Sequence, residues 1–147
     1  RLILTTVLIV NLVNGLYWFG LDLAVPYSAG RAAAAYIRQA DLQTVFMVGS
    51  RDAELAPLSG HLGQQIYYPE RQALGSYTLF FKGDRQPVEQ AEVLRQVSEL
   101  LPTHPEVLLV LTEPLAVPTL GLVITPLEAF GRSQNETYYL YWVRAAL

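Results

Sequence analysis

The apolar and polar positions divide the chain into two unlike parts. From Leu2 to Leu21 runs an uncharged stretch that begins Leu-Ile-Leu-Thr-Thr-Val-Leu-Ile-Val and ends in the aromatic cluster Tyr17-Trp18-Phe19. As a helix, such a stretch spans roughly 30 Å, the thickness of a bilayer core. The aromatic end matches an interfacial belt, and Arg1 places the near end on the cytoplasmic side. Asn11, Asn14 and Gly15 argue the other way, for a segment buried in the protein's own core or in a homodimer interface, because polar groups are costly in lipid. The chain opens on Arg1 rather than methionine and reads as part of a longer polypeptide. The boundary falls near Val25–Ser28, giving a hydrophobic, membrane-associated segment at 1–25 and a soluble domain at 26–147.

After the boundary the pattern alternates between helical and strand periods. Ser28 is placed to cap a helix over Ala32–Ala40, whose small residues suit close packing on a sheet. Thr44–Val48, stopped by Gly49, is a short apolar run of β-formers and predicts a strand buried on both faces. Ala53–Leu62 predicts a short helix despite Pro57, and Gln65–Tyr68 and Ser76–Lys82 predict strands. Between Pro87 and Pro102, the apolar residues Val88, Ala91, Leu94, Val97 and Leu101 recur every three or four positions. Glu89, Glu92, Arg95 and Glu99 take the other side, as in an amphipathic helix. Val107–Leu111, Leu122–Thr125 and Thr137–Val143 complete the strands. The predicted fold is α/β: a layered, mixed, mostly parallel sheet with flanking helices, an antiparallel tail and a preceding hydrophobic helix.

Composition narrows the chemistry. The chain has 147 residues, 52% of them hydrophobic and 16% charged, enough for a packed core. It has no cysteine, which removes disulfides, thiolate nucleophiles and cysteine-ligated metals. Ten basic against thirteen acidic residues give a net charge of −3, so nucleic acid is not an expected partner. The two histidines, His61 and His104, lie far apart in the chain, no phosphate-loop motif occurs, and neither metal nor cofactor is expected.

Two local clusters are candidate ligand sites. Ser50, Arg51 and Asp52 follow the first strand, where open α/β sheets bind ligands beyond the strands' carboxyl ends. Val48-Gly49-Ser50-Arg51-Asp52 lacks the second glycine of a nucleophile elbow, so the plainer reading is a strand-to-helix turn with Asp52 as the cap. A small hydrolase pairing Ser50 with His61 is a third-ranked reading. The second cluster is His61, Tyr67, Tyr68 and Arg71, residue types that stack on and hydrogen-bond a sugar or polar headgroup. Against it, one tyrosine of a strand pair faces the core and the other faces away. Asn135-Glu136-Thr137 matches a glycosylation sequon. No pair of catalytic carboxylates is brought together by spacing, and no catalytic residue is assigned.

Several segments taken in order carry a resemblance. They are Ser28-Ala29-Gly30 entering an alanine-rich helix with Tyr36-Ile37, Val48-Gly49-Ser50-Arg51-Asp52, Ser59-Gly60-His61-Leu62, Ile66-Tyr67-Tyr68-Pro69 and Gly75-Ser76-Tyr77. Directly after a hydrophobic span, and up to about Arg85, this pattern resembles the C-terminal extramembrane region of bacterial, cyanobacterial-type polytopic membrane proteins. Those are similar to glycosyltransferases using polyprenyl-phosphate sugars, of the protein-mannosyltransferase and aminoarabinose-transferase type. The resemblance implies an extracytoplasmic accessory domain of a membrane enzyme, with the membrane and a lipid-linked sugar or glycan acceptor as partners. Its family's catalytic acid lies in an early loop with no counterpart here, so the domain is expected not to turn over substrate alone. The rival reading is a self-contained, non-catalytic soluble domain.

Overall fold

A computed structural model describes residues 2–25, 28–76, 88–119, 121–131 and 136–146. The apolar segment is one helix, α1 (Leu2–Ala24). Its window Ile3–Leu21 is long and apolar enough to cross a membrane, and none of it is buried against the rest of the chain. Burial of this segment in the chain's own core is therefore not what the fold contains.

The remainder is an α/β unit: α2 (Gly30–Gln39), β1 (Phe46–Gly49), α3 (Asp52–Leu62), β2 (Ile66–Tyr68), β3 (Ala73–Gly75), α4 (Gln90–Leu100), β4 (Glu106–Leu111), β5 (Leu122–Phe130) and β6 (Tyr138–Ala145). The six strands form one sheet in the order β3-β2-β1-β4-β6-β5. Its centre, β2-β1-β4, is parallel. β3 on one side and β6 with β5 on the other are antiparallel. This is the mixed sheet with an antiparallel tail that the pattern predicts.

Period-two alternation distributes the core over both faces of the sheet. Met47, Ile66, Tyr68, Leu108 and Val110 point to one face, where Ala33, Ala34 and Ile37 of α2 and Leu55 and Leu58 of α3 cover them. Val48, Val107, Leu109 and Val143 point to the other, beneath Val93, Leu94 and Val97 of α4. Central strands covered on both sides explain why β1 and β4 read as continuous apolar runs. The last residue of β1 is a glycine because a β-carbon at Gly49 would collide with Leu55 and crowd Ile66 where α3 crosses.

Several boundaries differ from the predicted ones. β1 starts at Phe46 because Leu42–Thr44 forms a single 3-10 turn after Asp41, whose backbone is left-handed. α4 starts at Gln90, two residues after Val88, and buries Val93, Leu94, Gln96 and Val97, with Leu101 buried at its cap and Ala91 exposed. Asp52 is the first residue of α3 rather than its cap, which is Arg51. β5 continues past Thr125 through Pro126 to Phe130, with a register shift between Pro126 and Glu128. A proline is tolerated there because β5 is the sheet's edge, and proline and bulge together blunt that edge. Of the predicted strand Ser76–Lys82, Ser76 follows β3 and the rest lies outside the described residues, as does Asn135 of the sequon.

Candidate functional site

Chain order creates a crevice at the carboxyl ends of β1 and β4. β1 leads into α3 on one face of the sheet, whereas the segment after β4 turns to the other face, where Leu115 and Val117 pack beside α4. Adjacent parallel strands whose exits diverge form the switch point at which open α/β sheets bind ligands. A cleft of about 330 Å³ lies there, lined by Ser50 and Arg51 after β1, Leu111, Thr112 and Glu113 after β4, and Val88, Glu89, Gln90 and Val117. The helix α4 directs its amino end into this cleft.

The turn out of β1 is held from outside itself. Arg51 has φ of 69°, a left-handed conformation costly for a residue with a side chain. Glu70, in the β2–β3 turn, accepts from the Ser50 hydroxyl at 2.7 Å and from the Arg51 backbone N–H through the same oxygen. The Arg51 guanidinium reaches across the cleft to Glu113 and also pairs with Glu54 at 3.5 Å. Gln90 closes the opposite wall, donating to the Pro114 carbonyl at 3.0 Å and accepting from the Ala116 N–H at 2.9 Å. The cleft thus offers carboxylates, an amide and one guanidinium, with Leu111, Val88 and Val117 as an apolar floor.

Behind the turn lies a second polar cluster. Arg71 stacks on Tyr68, its guanidinium carbon 4.8 Å from the ring centre, and approaches Asp52 at 3.9 Å. The side chains of Asp52 and Arg71 are both at least nine-tenths buried. Gly75 makes room, since a β-carbon there would strike the guanidinium. Burial pushes the Tyr68 phenol up to about 12, partly offset by Arg71. The Tyr68 hydroxyl, Glu70 Oε2 and Arg71 Nε and Nη2 are enclosed without a hydrogen-bond partner among the described residues. Buried groups of this kind are satisfied by water or by a polar ligand.

The fold therefore brings Ser50, Arg51 and Asp52 together with Tyr68 and Arg71, joined through Glu70. It separates two of the other candidates. Tyr67 points to the opposite face of the sheet, where it donates to Gln96 Oε1 at 3.2 Å, and burial raises its phenol. His61 is exposed at the far end of α3, nine residues from Asp52, or about 14 Å along the helix. It packs beside Gly30. The Ser50 hydroxyl is bonded to Glu70, so no serine–histidine pair is formed. Glu70, Glu113 and Gln90 were not singled out from the sequence. The available signal was their position just beyond a strand's carboxyl end or at a helix start beside one. His104 stacks on Phe46 with ring centres 3.9 Å apart, and no group of three metal-ligating side chains gathers among the described residues.

The cleft lies at the end of the domain where the chain arrives from α1. The cap residue of α2 is Ala29 rather than Ser28, whose Oγ accepts from the Gly30 N–H at 3.0 Å and donates to Glu136. The Tyr138 hydroxyl contacts Glu136 and the Glu54 carbonyl, each at 2.7 Å. Tyr138 opens β6 beside the carboxyl end of β4, and Glu54 lies in the first turn of α3. Six residue steps separate Ala24 from Gly30, a reach of at most about 20 Å. The chain matches no protein-family model, no curated protein and no solved structure.

Proposed function

We propose that this chain is a membrane-anchored accessory domain that holds the sugar of a lipid-linked glycosyl donor, or a glycan acceptor, in its switch-point cleft. In this reading α1 spans the bilayer and the α/β unit stands on the extracytoplasmic side of a glycosyltransferase-like system, without catalysing transfer itself. The observation that carries it is the coincidence of the cleft with the tethered end of the domain. The start of α2, at most about 20 Å of chain from the end of α1, meets Glu136 and Tyr138 beside the carboxyl end of β4, the strand end that carries the cleft, and this sets the cleft toward the membrane surface. Its chemistry is suited to hydroxyls. Glu89 and Glu113 accept from them, Arg51 and Gln90 donate to them, and Val88 and Val117 meet the apolar side of a sugar ring. The surplus of carboxylates over the single guanidinium disfavours a nucleotide or a free polyphosphate.

The test is equilibrium binding of a radiolabelled polyprenyl-phosphate hexose to the full chain in lipid nanodiscs. Saturable binding is expected, weakened about tenfold by Glu113→Ala and by Gln90→Ala, in line with the loss of one or two hydrogen bonds to a ligand. Binding no greater than to empty nanodiscs, or unchanged in both variants, would refute the reading.

A further inference from the structure

The helix α1 carries its two asparagines on one side, away from Thr5 and Thr6. At about 100° per residue, Asn11, Asn14 and Gly15 fall within an arc of about 100°, shared with Leu4, Val7 and Trp18. The opposite side, at Ile9, Val13 and Leu16, is aliphatic, and all these side chains are exposed. One amide hydrogen of Asn11 is spent on the carbonyl of Val7, one turn earlier, at 2.9 Å. Its oxygen and second hydrogen remain outward, and Asn14 makes no side-chain hydrogen bond among the described residues. Gly15 leaves the surface between them open, with nothing within 4 Å of the place a β-carbon would occupy. Unpaired amides are costly in hydrocarbon, and close helix approach at small residues is how membrane helices satisfy them.

We infer that α1 pairs with α1 of a second copy of this chain through Asn11, Asn14 and Gly15, making the protein a dimer within the membrane. A side-chain amide is its own complement, because each copy supplies both a donor and an acceptor. A two-fold pairing of identical stripes therefore leaves no amide unmatched, as an isologous interface requires. The small residue lies beside the amides, where the two backbones must come closest. The inference rests on the membrane reading of α1.

Sedimentation equilibrium of the full chain in density-matched micelles tests it. The native chain is expected to be dimeric, and the double variant Asn11→Val, Asn14→Val to dissociate at least tenfold more readily. Gly15→Leu should weaken the dimer similarly, whereas Val13→Leu on the opposite side should leave it unchanged. Far-UV circular dichroism identifies variants that keep their fold. A detergent-requiring chain that is monomeric, or a dimer indifferent to the amide and glycine changes, overturns the pairing and leaves the membrane reading standing. A chain that is monodisperse without detergent overturns both.

Discussion

At Arg51 one residue serves two demands that pull apart. The turn out of β1 needs a left-handed backbone, which glycine adopts freely and arginine does not, yet the guanidinium bridges the cleft to Glu113. Arg51→Gly relieves about 1 kcal/mol of backbone strain. It adds about 0.5–1 kcal/mol of chain entropy to the unfolded state, and it loses only half-exposed ion pairs worth little. Stability measured by urea denaturation should therefore stay within about 0.5 kcal/mol of the native chain by this balance. Binding of the lipid-linked sugar in nanodiscs should fall. A large loss of stability would mean that the guanidinium holds the turn together. Unchanged binding would remove Arg51 from the site.

At the scale of elements, the junction of α2, α3 and β6 hangs on the Tyr138 hydroxyl. It meets the Glu54 carbonyl of α3 and the Glu136 carboxylate ahead of β6, and Ser28 ties the start of α2 to the same carboxylate. Tyr138→Phe keeps the ring and removes these bonds, leaving a buried carboxylate and carbonyl less well paired. The expected cost is about 1–3 kcal/mol in urea denaturation. Combined with Ser28→Ala the losses should be non-additive, because both hydroxyls serve Glu136. Additive losses would show that the two hydroxyls act separately. The outer side of α4 contrasts with this junction. There Arg95, hydrogen-bonded to Glu92, holds that carboxyl well down, to about 2, at a half-exposed site. Exposed pairs of that kind stabilise little.

For the molecule as a whole, alkaline pH is the informative axis. Burial raises the phenols of Tyr68 and Tyr138 above the ordinary value of 10.0, Tyr68 to about 12. The folded chain favours the neutral phenol, so this contribution is complete below pH 10 and is lost as pH rises through about 12. Each pH unit within that window costs up to about 1.4 kcal/mol per tyrosine. Thermal melts should be flat from pH 8 to 9.5 and fall steeply above pH 10. Absorbance at 295 nm should show a subset of the nine tyrosines ionising only as the fold is lost. Simple titration of all nine near pH 10 would contradict the burial of Tyr68 and Tyr138.

What the linear chain determines by itself is local. The 23-residue helix α1 follows from an uncharged run, the layered α/β class from alternating periods, and the double burial of β1 and β4 from continuous apolar runs. Ser50, Arg51 and Asp52 were legible as a strand exit because Gly49 ends an apolar run. Strand order was not legible, since hydrogen bonding between backbones leaves no mark on side-chain pattern. Only the order β2-β1-β4 brings Glu70 and Glu113 to either side of Arg51, whereas strand alternation alone sends Tyr67 away from Tyr68. Pro126 concealed the second half of β5, because a missing N–H is harmless only on an edge, and edges are assigned by neighbours. The cleft exists because two exits diverge on opposite faces of a sheet, a property of the packed chain that no single segment contains.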